Sequence, residues 1–259
     1  MSPFLRSTAL AGLAVLGLSG MAQAATLVGL TADGSLVRID TETRRASAPM
    51  RVRGAEGALL GIDVRPADGR LYGVTDSGQI VTIDPMSGMA TRVSQLGERF
   101  ESGGRAVVDF NPVADRLRLM GSSGVNFRVN VENGQVVRDG QLKYQAGTPL
   151  ADTAPRITAG AYTNSMQGAQ QTMLLTVDGV LGQLNLQAPP NDGVQQMRGR
   201  IGNGVPATAA FDILTEGATN TAYLLAGGVL HTLNLENGTP TPLGPVSGAA
   251  EVIDIAAMR

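Results

Sequence analysis

The 259-residue sequence has no cysteine, no tryptophan and a single histidine, and its aromatic content is 3%. Without cysteine there can be no disulfide, thiolate nucleophile or cysteine metal site, so the folded chain must rest on its apolar core. Sparse aromatics argue against a sugar cleft or a base-stacking surface, both of which depend on aromatic faces. Charged residues make up 16% of the chain with a formal net charge of -2 and no long run of one sign. That balance leaves no basic footprint for nucleic acid or for an anionic lipid surface. Beyond the N-terminal segment no stretch is apolar enough for a membrane helix, so no membrane span is expected once that segment is removed.

The N-terminal segment reads as an export signal. Met1 to Ala24 carries one basic residue, Arg6, then the apolar run Ala9 to Leu18, then the small-residue site Ala22-Gln23-Ala24. The run is too short to cross a bilayer comfortably as a helix. Residues 25–259 are accordingly expected to form one domain, a monomer in the periplasm or outside the cell.

Within that domain one pattern recurs. An apolar strand ends beside an acid, a turn follows, then a second strand, a tight Gly turn, a third strand ending in Asp or Asn, another Gly turn and a fourth strand. In the stretch Gly61 to Val93 the strands are Gly61–Val64, Leu71–Thr75, Gln79–Asp84 and Ala90–Val93. Gly and Asx residues between them supply the positive φ of short hairpins, and Pro66 sits where a strand must end. Asp33-Gly34, Ser123-Gly124, Asp178-Gly179 and Gly227-Gly228 mark the same second turn elsewhere. Third strands close at Ile39-Asp40, Ile83-Asp84, Val129-Asn130, Leu184-Asn185 and Leu233-Asn234. Leu27, Leu71 and Leu117 open successive second strands at spacings of 44 and 46 residues, the length of a four-stranded propeller blade.

The ends predict how the ring closes. Thr26–Leu30 enters as a second strand with no first strand before it, while "EVIDIAAM" resembles the first strands "GIDV" and "AFDI" with nothing after it. Pairing the two leaves no open sheet edge. The expected fold is all-β: a five-bladed β-propeller of four-stranded antiparallel blades, closed by its N- and C-terminal strands.

The wording "GIDVRPADGRLYGV", "DFNPVADRLRLM", "AYTN", "APPNDG" and "AFDI", in this order across residues 25–259, resembles the bacterial secreted family of domain of unknown function 4394. The resemblance implies an exported, propeller-like protein. It supplies no activity and no site residues.

Three groups of residues are candidates for chemistry. His231 aligns with Val81, Val37 and Phe127 and reads as a partly buried, hydrogen-bonded residue, since no nucleophile elbow accompanies it. Asp63, Asp109, Asp212 and Asp254 share one register of the first strands, with Ala161 or Tyr162 interrupting the series. First strands lie innermost in a propeller, so these acids could surround a Ca²⁺ ion in the central channel. They could equally accept backbone N–H bonds from the next blade and act as a repeated clamp, the reading the residues favour. Loops on the face of the first and third turns carry the third group, Arg65, Asn111, Tyr162, Asn164, Asn191 and Asp192. Of these, Tyr162, Asn164, Asn191 and Asp192 are expected to form a polar pocket beside the axis.

The leading functional expectation is an exported propeller that binds a small polar ligand or an envelope protein, or serves as a scaffold. The alternative is an extracytoplasmic hydrolase that uses paired acids or a metal-bound water.

Overall fold

The structure is a computed structural model and describes residues 25–202 and 209–258. The expected export signal, 1–24, lies outside the described residues. Among them no helix is long and apolar enough to cross a membrane.

Blade I contains β1 (Thr26–Thr31), β2 (Ser35–Asp40) and β3 (Met50–Arg51), and blade II contains β4 (Leu59–Val64), β5 (Leu71–Thr75), β6 (Gln79–Ile83) and β7 (Ala90–Gln95). Blade III is β8 (Ala106–Asn111), β9 (Arg116–Gly121), β10 (Asn126–Val129) and β11 (Val136–Arg138). Then β12 (Lys143–Tyr144) precedes blade IV, made of β13 (Ile157–Tyr162), β14 (Leu174–Asp178), β15 (Gln183–Gln187) and β16 (Val194–Arg200). Blade V is β17 (Ala210–Glu216), β18 (Thr219–Ala226), β19 (Val229–Leu233) and β20 (Pro240–Pro245), and β21 (Val252–Met258) follows it. Four sheets have four strands, and the fourth blade gains a fifth because β12 pairs in parallel with the outer edge of β16.

β21 returns to blade I and pairs antiparallel with β1, from Thr26 opposite Met258 to Thr31 opposite Val252. It is the innermost strand of that blade. The inner strands β21, β4, β8, β13 and β17 pack on one another in this order, and β17 meets β21 to close the ring. Closure removes the exposed N–H and C=O row that an open array would leave at each end.

Alternation along each strand builds the core between blades, because successive side chains of a strand point to opposite faces. Val74, Ile80, Phe110, Leu117 and Phe127 fill the space between blades II and III, whereas Leu175, Val177, Phe211, Ile213 and Leu224 fill that between IV and V. Tight turns hold the blades at this spacing. Gly134, at φ 74°, lies so close to the carbonyl of Gln95 in blade II that a Cβ would overlap it.

One strand end departs from expectation. The third strand of blade IV runs on to Gln187 rather than closing at Leu184-Asn185, and Leu174 pairs with Gln187. The turn before it is one residue longer than in blade II, and the Asp178 carboxylate caps the Val180 and Leu181 N–H groups within it at 3.0 and 2.8 Å. The expected position is shifted along the strand.

Candidate functional site

The first-strand acids meet at the axis. Asp63 accepts the Phe110 N–H of blade III at 2.7 Å, Asp109 the Tyr162 N–H of blade IV at 2.9 Å, and Asp212 the Ala257 N–H of β21 at 2.6 Å. Asp254 on β21 accepts the Ile62 N–H of blade II at 2.8 Å. Each acid therefore joins its own inner strand to a neighbouring one. Asp63, Asp212 and Asp254 also accept the N–H of the residue that follows them. At the register of Asp63, which pairs with Tyr72, blade IV has Ala161, paired with Leu175, so the contact from β13 to β17 has no carboxylate; β21 has Ala256 there, opposite Val28, and Asp254 departs from the expected register by two residues, opposite Leu30.

Asp63, Asp109 and Asp212 are buried, and one carboxylate oxygen from each lies within 4.8 Å of the other two. Burial disfavours the charged form, and like charges so close reinforce the effect. Loss of solvent, then the charge of Asp212, raises Asp63 well above the usual carboxylate range. Burial followed by the charges of Asp63 and Asp212 does the same to Asp109. Burial also pushes Asp212 up to about 6 and Asp254, more open at its flank, up to about 8. Calcium takes six to eight oxygens; what the hydrogen bonds here describe is the inter-blade clamp.

Above the acids, on the face of the first turns, a cavity of about 330 Å³ opens at the mouth of the axis. Asp63 and Asp212 line it, together with Arg65 and Pro66 of blade II, Ser165 to Gln167 of blade IV, the end of β17, and Ala257 and Met258 of β21. The Gln167 side-chain amide crosses the mouth to donate to the Ala67 carbonyl at 3.4 Å. At the other end of the channel Arg105 donates to the carbonyls of Ile253 and Ala209, at 2.5 and 3.5 Å.

The loop residues do not assemble as expected. Tyr162 is 1% exposed, and its hydroxyl accepts a hydrogen bond from Arg118, which also donates to Asn191 at 2.9 Å. Asn164 faces the opposite way. It exchanges amide hydrogen bonds with Asn220 of blade V at φ 55°, and Asp192 lies exposed on the turn before β16. Blade IV separates these partners because its two sides pack on different neighbours, so the four residues form no common pocket. Arg65 forms a bidentate pair with Asp115 and also donates to Asp68, Tyr72 and Glu132. Its guanidinium is held firmly protonated by Asp115, whose own carboxyl is lowered in return. Asn111 caps the Val113 and Ala114 N–H groups, both at 2.9 Å, and shares with Tyr162 the lining of a separate groove between blades III and IV. His231 is partly exposed, and its buried Nδ1 has no hydrogen-bond partner among the described residues. That corrects the expectation of a hydrogen-bonded histidine: the facing positions on β18 and β20 are Leu224 and Pro242, which offer no side-chain acceptor.

Two arginines that tie blades together escaped the reading of the sequence. Arg118 is 1% exposed and donates to Tyr162, Asn126, Asp139 and Asn191. A signal for it exists, since aligned second strands place Arg118 where Tyr72 and Leu175 stand. Arg105 precedes β8 in a loop and carries no register to betray it.

Five blades, inner strands around an axis and a polar cavity at one mouth define a β-propeller. A family model described as "Domain of unknown function (DUF4394)" matches residues 35–256, and the chain belongs to that family. No match was found among curated proteins. Among solved structures, a protein of unknown function from Bacteroides thetaiotaomicron is similar at 19% identity and a TM-score of 0.52, covering 89% of this chain and 61% of that one. The chain thus spans about three fifths of that protein's length. A protein of unknown function from Bacteroides caccae aligns at 9% identity with a TM-score of 0.46, over 91% of this chain and 99% of its own. The β-propeller domain of Cps50 (Swd1) from Myceliophteria thermophila aligns at 15% identity with a TM-score of 0.45, over 85% of this chain and 71% of that one.

Proposed function

We propose that this is an exported binding propeller, acting in the periplasm or outside the cell, whose ligand seat is the axial cavity on the first-turn face. The observation that carries the reading is the cavity itself, about 330 Å³ with the carboxylates of Asp63 and Asp212 in its wall. Most other polar groups of that face are already spent on neighbouring side chains or on their own turns. The ligand that suits such a seat is small and polar, with N–H or O–H donors for the carboxylates and an apolar edge for Met166, Leu214 and Met258. The export reading is supported by the pattern of Met1 to Ala24.

The hydrolase reading draws on the same cavity. Asp212, raised to about 6 by burial, stands beside a second acid, a pairing suited to proton transfer near neutral pH.

A thermal-shift screen of the purified protein against small amines, polyols and calcium tests the assignment, because a ligand of the folded state raises the melting temperature. At least one such compound is expected to stabilise the wild type and to lose its effect on Asp212→Asn. Equal stabilisation of both proteins moves the site elsewhere. Turnover of a stabilising compound, lost in the same variant, favours the hydrolase.

A further inference from the structure

We propose that the axial carboxylates are a proton-held lock on the ring: Asp63, Asp109, Asp212 and Asp254 share protons in the folded state, and their ionisation drives the blades apart. The ring is tightest in mildly acidic surroundings and loosens as they turn alkaline. This inference stands independently of the ligand reading.

The geometry supplies both halves of the device. Each acid accepts a backbone N–H from a different inner strand, and two of these four links involve β21, the strand that closes the ring. The same acids are crowded, with three carboxylate oxygens mutually within 4.8 Å in a buried setting. Three ionised groups cannot be held there without a compensating charge. The elements packed around them offer little. β4 contributes Asp63, β8 Asp109 and β17 Asp212 at one register, β21 contributes Asp254 two residues before it, and β13 places Ala161 there. Arg105, at the far end of the channel, is the cation whose charge is felt there, chiefly by Asp254, and it also feels Glu251. Arg65 lies two residues beyond Asp63 but is committed to Asp115, Asp68 and Glu132. Protons are left to neutralise the cluster.

A carboxyl raised above its unfolded value of 3.8 binds its proton more tightly in the folded chain. Its contribution to stability is complete below that value and is lost as the pH rises through the folded one, about 6 for Asp212 and about 8 for Asp254. Asp33, Asp40, Asp84 and Asp115 are lowered by their hydrogen bonds and lose their contribution only as the pH falls below the usual carboxylate range. Above about pH 4.5 the axial acids therefore govern the slope.

The test is denaturant unfolding of the purified protein in EDTA from about pH 4.5 to about pH 8. Each proton carried only by the folded state raises the unfolding constant about tenfold per pH unit, and at least that rise is expected between about pH 4.5 and about pH 6. A flat or falling unfolding constant overturns the proposal. Asp109→Asn keeps an acceptor for the Tyr162 N–H while removing one carboxyl, so its slope should be shallower; an unchanged slope counts against the lock. Direct measurement of proton release on unfolding near pH 6, in a His231→Leu background that removes the one histidine, needs no acid variant to fold. Release of about two protons or more is expected, and one or none sinks the idea. Added calcium should leave the slope in place. If calcium abolishes it, a cation and not a proton holds the ring.

Discussion

Blade IV has two unlike sides. Toward blade III it presents Tyr162, Thr176, Asn185, Gln187 and Gln195, all buried, with Arg118 of blade III reaching in to Tyr162 and Asn191. Amide groups on that side bond one another: Gln195 accepts from Thr176 at 2.6 Å and donates to Gln187 at 2.7 Å. Toward blade V the intervening positions carry Leu175, Val177 and Leu184, packed on Phe211, Ile213 and Leu224. The polar side also has the Asp109 clamp, while the apolar side has Ala161 and, at its rim, the Asn164–Asn220 pair. The seam with blade III thus adds directional bonds, which fix how the blades sit, to an apolar cluster of Val107, Met120, Ile157 and Leu174, whereas the seam with blade V rests on burial, which is indifferent to direction.

The comparison can be broken most severely at the ring's closure. Ending the chain after Glu251 removes β21, and with it the Asp254 clamp and the donor to Asp212. Loss of the cooperative thermal transition is expected; a wild-type melt would show that closure contributes nothing. At the apolar seam, Phe211→Ala should lower stability by about 3–5 kcal/mol, because a large side chain 2% exposed leaves a cavity. Chemical denaturation at low and high salt should give the same loss. At the polar seam, Arg118→Ala should cost about 3 kcal/mol, since it removes the buried donor to Tyr162, Asn126 and Asn191 and leaves Asp139 with Arg128 alone. Here salt should change the loss measurably, and an identical value in both buffers would erase the distinction between the seams.

A smaller effect belongs to the rim. Asn164→Ala should cost about 1–2 kcal/mol, from the lost Asn220 pair and a positive φ that alanine tolerates poorly. Asn164→Gly should recover part of that loss, and failure to do so would remove the backbone from the explanation. Least of all should follow from His231→Leu, which removes an unpartnered Nδ1 at a position facing Leu224. A change within about 0.5 kcal/mol is expected in the same denaturation assay.

Much of the ring was legible along the chain because a hairpin is a local object. Turn residues such as Asp76-Ser77-Gly78 and the alternation in Gln79–Ile83 need no distant partner to be recognised. Blade IV was read less well. Asp178 caps its own turn through two backbone bonds, that turn is one residue longer than in blade II, and the strand end lies at Gln187 rather than at Leu184-Asn185. The acid register was visible for Asp63, Asp109 and Asp212, with its gap at Ala161, but Asp254 stands two residues before the equivalent place, which Ala256 takes. The loop pocket was not recovered. Asn164 and Asn191 flank the same blade in sequence, yet each is captured by a different neighbouring blade, and no local pattern encodes which side a loop will lean toward.

By itself the sequence determined the strands, the blade count and the strand exchange at the termini, because periodicity and turn chemistry act over a few residues and repeat faithfully. Only the tertiary structure decided that the acids crowd within 4.8 Å, that Arg118 spans a seam and that Gln167 bridges the axial mouth. Those facts depend on distances across the ring, where residues from four or five separate strands meet, and Coulomb repulsion and desolvation act on that distance and not on sequence spacing.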